Sequence, residues 1–269
     1  MIEFYKMSGS GNDFILIDNR KDVVGTDDPA GFARKVCERK ISIGADGLIL
    51  IEESRKADFR WQFFNADGSR ADMCGNGGRC AARFAYVKGI AHAKMSFETG
   101  AGIIDAEVRD GLVKLRLTDP GGLKVGYSIR VYGRAYSVNS IDTGVPHVVS
   151  YPADLDSCDV VKYGREIRFH AQYQPAGTNV NFACVIDPHS IRVRTYERGV
   201  EDETLACGTG AVASALISAW KNLVRSPVDV RVKSGEILRV YFEKTEKGFR
   251  DVYLEGGARI VYQGFLWDE

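Results

Sequence analysis

The sequence predicts an α+β protein made of two pseudo-symmetric halves, each a mostly antiparallel curled β-sheet or barrel around a central helix. An internal repeat, one helix-like segment in each half and strand hairpins after those segments support this fold class. The length of 269 residues suits two domains of ordinary size. We expect them at residues 1–120 and 121–269, joined near Pro120-Gly121-Gly122, with a last strand that can cross back to the first half.

The repeat is visible as one separation that recurs at three distant places. The pairs, each 133 positions apart, are Gly11 with Gly144, Asn65 with Arg198, and Cys74 with Cys207. A shared separation of this kind is difficult to produce by chance. Two similar halves are expected to pack about a pseudo-twofold axis, and a cleft between them is the expected ligand site.

Each half contains a strand, a polar loop, a Cys-Gly-x-Gly motif and a helix, in that order. Apolar runs predict the strands at 58–64 and 190–197. The helices are predicted at 77–88 and 210–221, where Gly89 and Asn222 are suitable C-terminal caps. Hairpins are predicted around Asp110-Gly111 and around Lys247-Gly248.

The composition, with 45% hydrophobic and 27% charged residues, is that of an ordinary soluble globular protein. Lys plus Arg and Asp plus Glu are equal at 36 each, so no charge excess favours nucleic acid or a membrane surface. No apolar segment reaches spanning length, and the N-terminus lacks a signal core. We therefore expect a cytoplasmic location with reduced thiols, and a homodimer is one assembly that the sequence allows.

The six cysteines and four histidines show no metal-ligand spacing, so we expect no metal. Gly9-Ser10-Gly11 lacks a surrounding strand-GxGxxG-helix unit, so we expect no cofactor. A single Cys-Gly-x-Gly motif is most often a helix start with a buried thiol. Two of them in register favour chemistry, because a helix N-terminus stabilises a thiolate and a ligand carboxylate. We predict that Cys74 and Cys207 act on opposite faces of an amino-acid α-carbon as paired acid and base.

At these motifs the chain resembles the diaminopimelate epimerase family over essentially its whole length. The matching segments are Lys6-Met7-Ser8-Gly9-Ser10-Gly11-Asn12-Asp13-Phe14, Gly44-Ala45-Asp46-Gly47, Phe64-Asn65-Ala66-Asp67-Gly68-Ser69, Met73-Cys74-Gly75-Asn76-Gly77, Tyr196-Glu197-Arg198-Gly199 and Ala206-Cys207-Gly208-Thr209-Gly210. The resemblance implies a pyridoxal-independent isomerase that interconverts LL- and meso-diaminopimelate in lysine biosynthesis, by two-base proton transfer.

The resemblance also implies a role for each matched residue. Cys74 and Cys207 are the catalytic thiols. The backbone of Gly75, Asn76, Gly208 and Thr209 binds the carboxylate at the reacting centre. Glu197 faces the reacting ammonium, and Arg198 binds the distal carboxylate. The polar lining is completed by Asn12, Asn65 and Asn179.

Two positions depart from the family pattern and bear on substrate specificity. Val145 stands where an asparagine often occurs, and Gly47 stands where some members carry glutamine. One alternative is another two-cysteine racemase or epimerase, acting on proline, hydroxyproline or a different amino acid. A second alternative is a non-catalytic amino-acid-binding protein, although such a protein would not need both thiols.

Overall fold

The computed structural model describes residues 1–267, which divide into two compact units. The first unit comprises Met1–Leu115 and the residues from Gly256 onward, and the second comprises Arg116–Glu255. The first contains β1 (Ile2–Gly9), β2 (Asn12–Asp18), α1 (Pro29–Cys37), β3 (Gly47–Glu52), β4 (Phe59–Asn65), α2 (Gly75–Val87), β5 (Lys94–Thr99), β6 (Gly102–Arg109) and β7 (Leu112–Arg116).

The second unit repeats this order after one additional strand. It contains β8 (Gly121–Val131), β9 (Arg134–Asp142), β10 (Pro146–Ser150), α3 (Val160–Arg168), a short 3-10 turn (Ala171–Tyr173), β11 (Asn179–Asp187), β12 (Ser190–Glu197), β13 (Asp202–Thr204), α4 (Gly208–Trp220), β14 (Val228–Arg231), β15 (Ile237–Thr245) and β16 (Gly248–Gly257). The chain then returns to the first unit in β17 (Arg259–Leu266).

The two sheets have the same strand order and the same directions. In the first unit the order is β17-β1-β2-β3-β4-β5-β6-β7, where β2–β3 and β4–β5 are the parallel pairs. In the second it is β8-β9-β10-β11-β12-β14-β15-β16, where β10–β11 and β12–β14 are parallel and β13 pairs with β12. The remaining pairs in both lists are antiparallel, so the mixed α+β fold is confirmed.

Each sheet curves around one helix and carries a second helix on its other side. The helix α2 packs against β1, β2, β3 and β6, and α4 packs against β9, β10, β11, β12, β14 and β15. Every residue of α4 from Gly210 to Ala219 is buried, which explains why this segment is apolar on all sides. The outer helices α1 and α3 pack against β3–β4 and β11–β12.

The predicted helices and the first hairpin are confirmed, with small shifts of their ends. Gly89 and Asn222 follow the helix ends with φ of 67° and 58°, as expected for left-handed C-terminal residues. The second hairpin is also confirmed, but its turn lies one residue earlier than predicted. Thr245 pairs with Gly248, so the turn residues are Glu246 and Lys247. Gly121 and Gly122, predicted as a linker, belong to strand β8.

Candidate active site

Cys74 caps the N-terminus of α2 and is partly exposed. Its backbone is extended, with φ −144° and ψ 119°, and its Sγ accepts a hydrogen bond from the Gly77 N–H at 3.4 Å. The next N–H, of Gly78, is bonded to the Cys74 carbonyl at 2.8 Å. The sulfur therefore takes the place of the serine or aspartate oxygen that usually caps a helix.

Cys207 caps α4 in the same way, but it is buried, with 7% of its surface exposed. Its Sγ accepts from the Gly210 N–H at 3.4 Å and lies 3.6 Å from the Thr209 hydroxyl. Residues 75–76 and 208–209 are the first two residues of α2 and α4. Their N–H groups therefore have no carbonyl partner within the helix. These are the groups that an anion can reach.

Beside Cys74, the predicted residues Asn12 and Asn76 are joined directly. The Asn76 amide donates to Asn12 Oδ1 at 2.8 Å, and Asn12 donates to the Asp46 carboxylate at 3.0 Å. The guanidinium of Arg79, which is fully buried, donates to Asn76 Oδ1 at 2.8 Å. The side-chain positions at the start of α2 are thus fixed by a continuous polar network.

Beneath Cys207, the support comes from strands rather than from the helix. Thr195 of β12 donates to Asn181 Oδ1 at 2.9 Å, and the Asn181 amide bonds to His147 Nδ1 at 3.1 Å and to the Val148 carbonyl at 3.0 Å. Burial lowers the pKa of His147 to about 3, and the charge of Arg198 acts in the same direction. His147 is therefore neutral at physiological pH.

The remaining predicted residues of the second unit lie at the end of β12. Asn179 accepts a hydrogen bond from the Arg198 backbone N–H at 2.9 Å, and the Arg198 side chain donates to the Ala176 carbonyl at 3.1 Å. Burial raises the pKa of the Glu197 carboxyl, while the nearby Thr204 hydroxyl opposes that change. The carboxyl group of Glu197 and the guanidinium of Arg198 are thus adjacent at the end of β12.

Asn65 ends β4 and donates to the Ser69 hydroxyl at 2.9 Å. Gly47 pairs with Asn65 in the sheet. A Cβ at Gly47 would lie 2.7 Å from the Phe64 carbonyl oxygen and 2.6 Å from the Phe63 ring. Glycine is therefore required at this position by packing, so a glutamine side chain could not be placed there without moving β4.

The sequence prediction did not include two groups of residues that the structure places at these helices. They are Ser10, Asp46 and Arg79 around α2, and His147, Asn181 and Thr195 under α4. A usable signal was present for Arg79, because a charged residue on the buried face of an apolar helix is unusual. The neutral polar residues carried no comparable signal.

Within residues 1–267, no group of three or more His, Cys, Asp or Glu side chains is arranged to hold a metal ion.

None of the helices in that part of the chain is both long enough and apolar enough to cross a membrane.

Comparison with known proteins gives a consistent result. The profile of the family described as diaminopimelate epimerase matches residues 4–118 and 139–261. A diaminopimelate epimerase of Aquifex aeolicus is 47% identical and covers 100% of this chain and 99% of its own length. That of Archaeoglobus fulgidus is 44% identical, with 98% and 96% covered.

Solved structures support the fold alone, because their sequences are distant. A Bacillus anthracis phenazine biosynthesis protein of the PhzF family has a TM-score of 0.77 at 16% identity, covering 99% of both chains. A probable proline racemase from Agrobacterium radiobacter has a TM-score of 0.72 at 16% identity, covering 100% of this chain and 94% of that one.

Proposed function

This chain belongs to the diaminopimelate epimerase family, and from that premise we propose that Cys74 and Cys207 exchange the α-proton of its substrate. The protein is a pyridoxal-independent isomerase that interconverts LL- and meso-diaminopimelate. One thiolate removes the α-hydrogen as a proton, and the electron pair is delocalised into the adjacent carboxylate. The other thiol then delivers its proton to the opposite face, so the two sulfurs exchange protonation states in each turnover.

The observation that carries this proposal is the matched capping geometry of the two cysteines. Each Sγ accepts one N–H of its own helix at 3.4 Å, which stabilises negative charge on sulfur without neutralising it. The same helix ends present the N–H groups of residues 75–76 and 208–209. We propose that these groups bind the reacting carboxylate and stabilise the charge that develops on it in the carbanion.

Recognition of the reacting ammonium group and of the distal end of the substrate is assigned to polar residues of both units. Arg198 is suited to bind the distal carboxylate, because a guanidinium matches two carboxylate oxygens. Glu197 supplies a half-buried carboxylate for the reacting ammonium group. Asn12, Asn65 and Asn179 complete the lining in this proposal, and Val145 leaves one family hydrogen bond unmade.

The test is to incubate the protein in D₂O with LL-diaminopimelate and, separately, with L-proline. Epimerisation and α-deuterium uptake should occur with diaminopimelate, and Cys74→Ala and Cys207→Ala should each abolish turnover. Cys158→Ala is the matched control, because Cys158 is a partly exposed cysteine outside the thiol motifs. Turnover of proline without turnover of diaminopimelate would contradict the proposal. Near-normal turnover of diaminopimelate by either Cys74→Ala or Cys207→Ala would contradict it as well.

Two further statements belong to this proposal. We place the protein in the cytoplasm, where reduced thiols can persist. The homodimer stays a prediction, which light scattering of the purified protein would test.

A further inference from the structure

The two helices capped by cysteine differ in the charge of one buried residue. At the fifth helical position α2 carries Arg79, and α4 carries Val212. Both side chains are fully buried, at 0% exposure. The two halves therefore share the capping thiol and the helix geometry, but only α2 has a cation, Arg79, at this equivalent position.

The guanidinium of Arg79 is held against the first turn of α2. It donates to the Gly75 carbonyl at 3.4 Å, to Asn76 Oδ1 at 2.8 Å and to the Ser10 hydroxyl at 2.5 Å. It also donates to the Gly257 carbonyl at 3.3 Å. These acceptors are uncharged oxygens, and a guanidinium does not lose its proton. A full positive charge thus adds to the dipole at the end that Cys74 caps.

The other charged groups near α2 largely balance one another. Lys6 and Arg39 lie 2.8 Å and 2.6 Å from the Asp13 carboxylate, and Arg39 also lies 3.0 Å from that of Asp46. These two cations and two anions sum to zero. Asp72, exposed and two residues before Cys74, and Arg83 of α2 are likewise opposite in sign. Asp105 and Glu107 of β6 alternate with buried Ala106 and Val108, so they point away from α2. Glu52, at the far end of β3, is paired with Arg60.

No matching cation stands at the equivalent position of α4, which is Val212. Its support residues Asn181 and Thr195 are neutral, and burial keeps His147 uncharged. The charged neighbours at the end of β12 are Glu197 and Arg198, which are opposite in sign. The Thr209 hydroxyl beside Cys207 can donate to a thiolate, but it is uncharged and therefore stabilises that state less than a buried cation does.

We propose that Arg79 makes Cys74 the thiolate and leaves Cys207 as the thiol in the substrate-free protein. This inference rests on the proposed function. Arg79 is a positioning residue, since it acts through the first turn of α2 and through Asn76. The protein is then prepared for the substrate configuration whose α-hydrogen faces Cys74, because that sulfur is already the base.

The test measures each thiol alone by site-resolved alkylation. Iodoacetamide reacts with thiolate, so the midpoint of the rate against pH reports ionisation independently of accessibility. Cys74 is followed in the Cys207→Ser variant and Cys207 in the Cys74→Ser variant, with peptide mass spectrometry separating the other cysteines. The midpoint of Cys74 should lie at lower pH than that of Cys207. The reverse order would overturn the inference, and it would leave the two-thiol reaction untouched.

The second arm changes the charge itself. In the Cys207→Ser background, Arg79→Met should lower the rate of Cys74 alkylation at neutral pH about tenfold. Arg79→Lys should restore the rate, even if the free energy of unfolding stays reduced. Val212→Met in the Cys74→Ser background is the matched control and should leave the midpoint of Cys207 unchanged. Equal alkylation of Cys74 in folded Arg79→Met and Arg79→Lys would contradict the role of the charge.

Discussion

Replacing Gly210 with alanine is expected to damage the second thiol site far more than replacing Gly77 damages the first. A Cβ at Gly210 would lie 2.3 Å from Asn181 Oδ1 and 3.2 Å from both Cys207 Sγ and Thr195 Oγ1. At Gly77 the nearest atom would be Ile49 Cδ1, at 3.2 Å. The isoleucine methyl can rotate away, whereas Asn181 is held by hydrogen bonds to His147, Val148 and Thr195.

The magnitude follows from two destabilising terms and one stabilising term. Overpacking of this kind costs about 1–3 kcal/mol, and displacing Asn181 adds about 1 kcal/mol for each hydrogen bond lost. Alanine gains up to about 1 kcal/mol over glycine within a helix. We therefore expect Gly210→Ala to lose about 2 kcal/mol of unfolding free energy, and Gly77→Ala to change it by less than about 1 kcal/mol. Because Gly210 donates to Cys207, kcat should fall in Gly210→Ala as well.

The assay combines urea unfolding with steady-state epimerisation of LL-diaminopimelate. Asn181→Ala removes the obstructing oxygen, so the double variant Gly210→Ala/Asn181→Ala should be more stable than the sum of the two single changes. If Gly210→Ala and Gly77→Ala lose equal stability, the steric argument is wrong. Additive free energies in the double variant would also refute it.

Three further changes test the charges of the second unit. The pKa of His147 lies near 3 when folded and near 6.5 when unfolded, so the unfolded chain binds more protons between these values. Stability should therefore fall by about 1.4 kcal/mol for each pH unit below 6.5, and His147→Phe should flatten that slope in urea titrations. Glu197→Gln should raise the free energy of unfolding at neutral pH, because a half-buried carboxylate with a raised pKa is costly when ionised, while kcat/KM falls. Arg198→Lys should raise KM about tenfold with a smaller change in kcat, and an unchanged KM would remove Arg198 from substrate binding.

Much of the fold could be predicted because the repeat provides two independent copies of each signal. The helices were found from their apolar runs and from Gly89 and Asn222 at their ends, where left-handed backbone favours these residue types. The second hairpin forms where predicted, but its turn lies one residue before Lys247-Gly248, because Gly248 is not a turn residue. It instead begins β16 with φ 148°, a conformation that glycine adopts readily within a strand end.

The candidate site could be predicted only where residues act through the backbone or through motif positions. Cys74 and Cys207 follow from the helix starts, since capping is a local property of the chain. The network of Asn181, Thr195 and His147 joins three strands, and its members are far apart in sequence. Such contacts depend on strand register, which no short motif specifies.

The pairing of β17 with β1 has a consequence for biosynthesis. Ile2 pairs with Leu266 and Tyr5 with Gln263, so the edge of the first sheet is completed by a strand translated after the whole second unit. In the second unit the equivalent edge strand, β8, precedes β9 and forms a local hairpin with it. On the ribosome, the second unit can finish its sheet while the first still exposes the outer edge of β1, which is open to incorrect pairing. The half of the protein that is synthesised first is thus the half that is completed last.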